Sequence, residues 1–190
     1  MKPIFEKLWQ AAQIYLDTRV NDEHTKISIR YAFELMEQEG GDGNIVIPAV
    51  ILHDVGWKKV PVDLQLQAFG PKAKNSGLNR THEVEGVKIA RNILKQVGYD
   101  NTKAKEILEI IDGHDSRKSA CSLNDQLVKD ADKLWRFSKL GFWTDLERFE
   151  ETFDESLFRL KNNIAKWFFT NTAKEIAAAE IKKRASEKQK

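Results

Sequence analysis

The sequence predicts an all-α fold, and three observations carry that expectation. Only four prolines occur in 190 residues and none follows Pro71, so the last 119 residues are free of imino breaks. Apolar residues recur at i, i+3 and i+4 along most of the chain. Glycines and short polar residues punctuate those stretches where helices have to start and stop.

A first helix is expected over 3–19, where Ile4, Phe5, Leu8, Ala12, Tyr15 and Leu16 share a face. A second begins at Asn21 or Asp22 as N-cap and carries two apolar rows, Ile27, Tyr31, Leu35 and Ile29, Phe33, Met36. It ends in Gly40-Gly41-Asp42-Gly43-Asn44. Residues 45–55 are almost wholly apolar up to His53-Asp54; their β-branching would suit a strand, but Pro48 suits the first turn of a buried helix, which is the preferred reading. Residues 57–79 hold Pro61, Gly70, Pro71 and Gly77 and read as a long irregular excursion with a short helix at 62–68. Further helices are expected over 80–97, closed by Gly98, over 101–112, closed by Gly113, and over 123–138. The remainder, 141–188, is helical in pattern, with Thr152 and Asn171 as N-caps. No repeat or linker divides the chain, so 1–190 is read as a single all-helical domain.

Composition narrows the function classes. Hydrophobic residues are 41% and charged residues 32%, which excludes wholesale disorder. No apolar run reaches the length of about 18 that a membrane span needs. Glu6 interrupts the N-terminus before a signal-type core can form, and the lone Cys121 allows no internal disulfide; both lead to the expectation of a cytoplasmic protein. The net charge of +2 hides an uneven distribution, because Lys182, Lys183, Arg184, Lys188 and Lys190 face only Glu187 in the last ten residues. A near-neutral body with a basic helix end is not a nucleic-acid footprint, and no membrane or nucleic-acid partner is expected.

The four histidines each adjoin an acid: Glu23-His24, His53-Asp54, His82-Glu83 and His114-Asp115. His53-Asp54 closes an apolar run, so the carboxylate enters a buried region, where it must be paired or bound to a metal. Such a pair is either a structural hydrogen bond or part of a metal site. No short ligand box such as His-Glu-x-x-His decides between them.

Three contexts in order do carry a resemblance. Asp22-Glu23-His24-Thr25 opens a helix; Leu52-His53-Asp54-Val55-Gly56 resembles an "L-H-D-I-G" motif; Ala131-Asp132-Lys133-Leu134 resembles "A-D-[KR]-L". Together they resemble the H…HD…D signature of the HD superfamily of metal-dependent phosphohydrolases, over about residues 20–140, with 141–190 as additional C-terminal helices. The resemblance implies an HD-domain helical bundle and a divalent ion held by His24, His53, Asp54 and Asp132. Two imidazoles and two carboxylates suit Mn, Fe, Co, Ni, Zn or Mg. Asp130 is the alternative to Asp132, since the two lie on different helix faces.

His82-Glu83-Val84-Glu85-Gly86-Val87-Lys88-Ile89-Ala90 resembles the helix of HD members that hold a second metal. Ile110-Ile111-Asp112-Gly113-His114-Asp115 resembles the segment where such members often carry a His-His pair, here His114-Asp115. The resemblance therefore implies one tight site and a second possible one, with His82 and His114 as its ligands. Asp54 is the expected catalytic ligand, with Lys58 beside it. Arg19, Lys58, Asp115 and Arg117 are the expected substrate-binding residues. The Gly-Tyr-Pro element of the cyclic-di-GMP branch is absent.

The implied activity is hydrolysis of a small phosphorylated metabolite, a nucleotide being the favoured class. The alternatives are oxygen chemistry at a di-iron site and a degenerate regulatory module. Trp57, Trp135, Phe137, Phe142 and Trp143 read as core rather than as a base-stacking wall, and 60–79 as a substrate lid.

Overall fold

Eight consecutive residues, Ile45–Leu52, are buried, and they form the central helix α3 (Gly43–Leu52). Asp42 caps it by accepting from the Asn44 N–H at 2.8 Å. Pro48 lies inside this helix rather than in its first turn. The missing proline N–H frees the carbonyl of Asn44, and the Tyr99 hydroxyl donates to that oxygen at 2.5 Å. A proline in mid-helix is therefore satisfied from another element.

The computed structural model describes residues 2–71, 73–75 and 77–187, and among these all regular structure is helical. The all-α expectation is met. Around α3 pack α1 (Pro3–Leu16), α2 (Asn21–Glu39), α6 (Asn101–Ile111) and α7 (Leu123–Leu134). A 3-10 turn, Val55–Lys59, follows α3 and lies against α5 (Gly77–Gln96), with the short α4 (Val62–Gln65) between them in sequence. A second 3-10 turn, Trp135–Phe137, leads into α8 (Lys139–Phe149), α9 (Phe153–Trp167) and α10 (Asn171–Glu187). One hydrophobic cluster runs from Phe5 through α3 to Ile181 of α10.

Several local expectations need correction. α1 stops at Leu16, and the following residues Arg19 and Val20 both take positive φ, +55° and +62°. Val20, not Asn21 or Asp22, is the N-cap of α2, and it makes no side-chain cap. A β-branched residue in the left-handed region is strained, and this turn is what aims Arg19 inward. Phe33 is 43% exposed, because the core side of α2 is taken by Tyr31, Ala32 and Leu35. The helix expected at 62–68 closes at Gln65, and α5 begins at Gly77, ahead of residue 80.

Thr152 does cap α9, in a reciprocal box with Glu155. For α10 the cap falls one residue before Asn171: Thr170 Oγ1 accepts from the Ala173 N–H at 3.2 Å. Of the basic tail, Lys188 and Lys190 lie outside the described residues.

The C-terminal helices are tied to α7 by Asp130. Its carboxylate accepts from the Phe169 N–H at 2.9 Å, the Thr170 N–H at 2.9 Å and the Thr170 hydroxyl at 2.8 Å. Both of its oxygens are bonded to the 169–170 segment, so Asp130 anchors that segment, whereas Asp132 is the aspartate of α7 that stands with His24 and His53.

Candidate metal centre

His24 stands one turn into α2, His53 and Asp54 at the end of α3, and Asp132 on α7. The packing of α2, α3 and α7 brings them together. His24 Nε2 lies 2.9 Å from His53 Nε2, and Asp132 Oδ1 is 3.2 Å from the first and 3.5 Å from the second. On the other side, α5 and the turn after α6 bring His82 Nε2 and His114 Nε2 to 3.1 Å. Two sets that could hold a metal ion result: His24, His53 and Asp132, and Asp54, His82 and His114, with ligand atoms of each within 4.8 Å of one another.

Asp54 lies between the two. Its Oδ2 is 3.6 Å from His24 Nε2, and its Oδ1 is 3.7, 3.9 and 3.6 Å from the Nε2 atoms of His53, His82 and His114. Asp115 joins the second set, 3.6 Å from His82 and 4.0 Å from His114. Its carboxylate also lines the cavity and lies 4.0 Å from Lys133, so it stands between the second set and the cavity cations.

The donor chemistry fits a cation. His53 Nδ1 is 2.7 Å from the Val50 carbonyl and His114 Nδ1 is 2.9 Å from that of Ile111. A carbonyl only accepts, so Nδ1 carries the hydrogen and Nε2 presents its lone pair inward. Bare imidazole nitrogens facing each other and carboxylates at these distances repel unless positive charge lies between them. Burial alone would lower the His53 imidazole, but Asp54 and Asp132 outweigh it and raise it to about 9, so without an ion a proton on Nε2 takes the place of the cation. Burial would raise the Asp54 carboxyl; His53, His114, His24 and Arg19 hold it well below the carboxylate range instead. His82 goes the other way: burial, with His114 beside it, brings it down to about 4, which keeps it neutral.

Neighbours fix these ligands. Trp57 lies flat on His82, centroids 4.0 Å apart and 12° from parallel, and donates its Nε1–H to Asp54 Oδ1 at 3.1 Å. The turn bearing His114 is held from both sides. Glu83, fully buried, accepts from the N–H groups of Asp115 and Ser116 and from the Ser116 hydroxyl. Lys129, 2% exposed, donates to the carbonyls of Gly113, His114 and Arg117. Sequence reasoning missed both; a charged residue in a buried helical row is the only trace they leave.

The two sets open into a cavity of about 320 Å³. Arg19 lines it, as the sequence anticipates, together with Lys133, Arg136, Arg148 and Arg159, which it does not. The last two come from α8 and α9. Phe69, Gly70 and Pro71 of the irregular segment line it as well. Lys58 does not: its ammonium pairs with both carboxylate oxygens of Asp17, at 2.6 and 2.8 Å, on the exposed surface. Arg117 is also occupied elsewhere, donating to the buried Asp125 at 2.7 Å and so bracing the start of α7. Neither belongs to the cavity.

An HD domain family model matches residues 21–136. No curated protein matches the chain. A solved structure, a predicted HD superfamily hydrolase from an uncultured Thermotogales bacterium, is similar at 20% identity and a TM-score of 0.63, covering 100% of this chain and 89% of that one.

Proposed function

The chain belongs to the HD domain family, and from that premise we propose that it is a metal-dependent phosphohydrolase acting on a small phosphorylated metabolite. The observation that carries the reading is Asp54 lying between two ligand sets that open into a cation-lined cavity. Divalent ions held by His24, His53, Asp54 and Asp132, and by Asp54, His82, His114 and Asp115, would acidify a bound water and polarise phosphate oxygens.

The chain's own residues supply the rest. Trp57 and the backbone partners of His53 and His114 hold the ligands in place. Lys133 offers positive charge where the phosphoryl oxygens gain negative charge. Lys133 is balanced between Asp132 at 3.5 Å and Asp115 at 4.0 Å, so it can shift toward phosphate.

A nucleotide is the substrate class of this proposal. Trp57 is not available to stack on a base, since His82 covers one face and Arg19 lies over the ring as well, 4.2 Å from the centroid. Trp135 is 3% exposed. Trp167, half-buried in the cavity wall one turn from Asn163 and edge-on to Phe137, is the ring this proposal assigns to a base. The cationic lining is what favours phosphoryl over di-iron oxygen chemistry.

The test is to purify the protein without chelator, measure bound metal by elemental analysis, and screen phosphomonoesters and phosphodiesters with added Mn or Co. Metal-dependent hydrolysis is expected, and lost in Asp54→Ala. Two irons per chain with oxygen uptake and no hydrolysis would overturn the reading.

A further inference from the structure

We propose that the cavity takes a substrate with two phosphate groups, one at the histidine–aspartate sets and the other against a collar of Arg19, Arg136 and Arg148 around Phe69. The proposal rests on the phosphohydrolase reading and adds the substrate's second anion to it.

Three guanidinium groups surround one phenyl ring. Their Cζ atoms lie 4.1 Å (Arg19), 5.7 Å (Arg136) and 5.6 Å (Arg148) from the Phe69 centroid. The ring face attracts each cation, and all four side chains line the same cavity. Their compensation is incomplete. The buried Asp145 serves both Arg136 and Arg148, bonding the latter at 3.1 Å. Arg148 also donates to the Arg19 carbonyl, at 3.1 Å, which fixes the turn that presents Arg19.

Arg19 itself sits between Trp57 and Phe69 with Nε and Nη1 buried and without a hydrogen-bond partner. Burial and the neighbouring Arg148 and Arg136 bring this guanidinium down to about 10 in spite of Asp54. Asp145 thus serves two of the three cations, and among the described residues Arg19 has no ion-pair partner within 4.0 Å in a partly desolvated wall, an arrangement that an incoming anion relieves.

The collar is not ion-paired with the ligand sets, although Arg19 feels the charge of Asp54. Among the described residues, no ion pair within 4.0 Å joins Arg19, Arg136 or Arg148 to Asp54, Asp115 or Asp132. Its parts come from different elements: the positive-φ turn before α2, the 3-10 turn after α7, α8, and the irregular segment. Arg148 and Asp145 lie beyond residue 136, where the HD domain match ends. A phosphate at the ligand sets leaves the collar unfilled; a second phosphate on the same molecule fills it.

The experiment is calorimetry on the metal-loaded full chain with inorganic phosphate, methylenebisphosphonate, butane-1,4-diyl bisphosphate and phosphonoacetate. At least one bisphosphate probe is expected to bind about tenfold or more tightly than phosphate, the range of a lost charge-assisted hydrogen bond. Arg148→Gln, and independently Arg136→Gln, should erase most of that preference while leaving phosphate affinity near wild type. Equal affinities for phosphate and both bisphosphates overturn the proposal. So does a preference that survives both variants, which would trace it to metal chelation, or phosphonoacetate matching the bisphosphates, which would make any second anion sufficient. The two readings fail separately. A protein that cleaves no phosphate ester yet shows an arginine-dependent preference keeps the collar and loses the catalytic reading. One that cleaves monophosphates without preference does the reverse.

Discussion

A Cβ on Gly56 would stand 1.8 Å from the carbonyl oxygen of His82 and 2.5 Å from the Gly86 nitrogen. The turn after α3 and the body of α5 therefore touch backbone to backbone, and that approach is what lays Trp57 on His82 and sets His82 beside Asp54. The obstructing atoms are main chain and cannot swing aside. Gly56→Ala should push α5 away from Asp54 and cost about 1–3 kcal/mol, the usual range for overpacking. A lowered melting temperature together with weaker binding of a second metal equivalent is the expected result. An unchanged melt would mean that the two backbones are not in tight contact.

The two aspartates of α7 should separate cleanly. Asp130→Ala leaves the N–H groups of Phe169 and Thr170 without their acceptor in a buried corner. A loss of roughly 2–4 kcal/mol is expected, with metal content per folded chain retained. Asp132→Ala should instead lose metal at the first set, together with the stabilisation that its carboxyl, lowered in spite of burial, draws from Lys133, His24 and His53 in the metal-free protein. Denaturant unfolding with elemental analysis on both variants checks the contrast. Metal loss in Asp130→Ala at full stability would reverse the assignment.

These two residues show how far the sequence could be read. Helical periodicity and the histidine–acid pairs were legible because each is a local pattern, repeated within a turn or written in adjacent residues. Asp132 could be favoured over Asp130 only through its motif; what Asp130 does depends on Thr170, forty residues away. Arg148 and Arg159 reach the cavity only because α8 and α9 fold back onto it, and nothing in their own neighbourhood marks them. The position of Pro48 escapes the sequence for a similar reason: the Tyr99 hydroxyl that makes it tolerable in mid-helix is invisible to any local rule. Lys58 is close to the His53-Asp54 pair in sequence, but a 3-10 turn points it outward to Asp17.

Lys129 donates three hydrogen bonds to the turn that carries His114, with the charges of Asp125 and Asp115 also favouring its ammonium. Lys129→Met keeps the volume and leaves those carbonyls unpaired. The cost should be about 2–3 kcal/mol, with faster amide exchange over residues 113–117. Unaltered exchange there would show that Glu83 alone holds the turn.

Glu151 gives a pH-dependent contribution away from the metal ligands. Burial would raise its carboxyl, but Arg159 and Ser156 bond it, at 2.7 and 2.6 Å, and the net effect is a lowered value. A carboxyl lowered in the folded state stabilises the fold fully above its unfolded value near 4.3, and that stabilisation fades as pH falls through the lowered value. Glu151→Gln should lack this component. The stability difference between wild type and variant is expected to shrink as pH falls from about 5 to 3; a difference that stays constant over that range would show that the carboxyl is not lowered.

Metal number is the last expectation, and it turns on Asp115. In the first set His24 and Asp132 stand on helices and His53 and Asp54 directly follow α3, and the Asp132 side chain is 17% exposed. The second draws Asp115 from a turn, with 28% of that side chain exposed, and shares Asp54 with the first. A ligand on a turn costs more entropy to fix than one on a helix. One ion should therefore bind tightly and a second more weakly. Asp115→Asn and His82→Ala should each weaken the second by at least about 10–100-fold, the cost of losing even an outer partner, and leave the first in place. Asp54→Ala should lose both. Titration of the metal-free protein, read by elemental analysis after gel filtration, separates these outcomes. Loss of every ion in His82→Ala, or no change in either the His82 or the Asp115 variant, would remove those residues from the site.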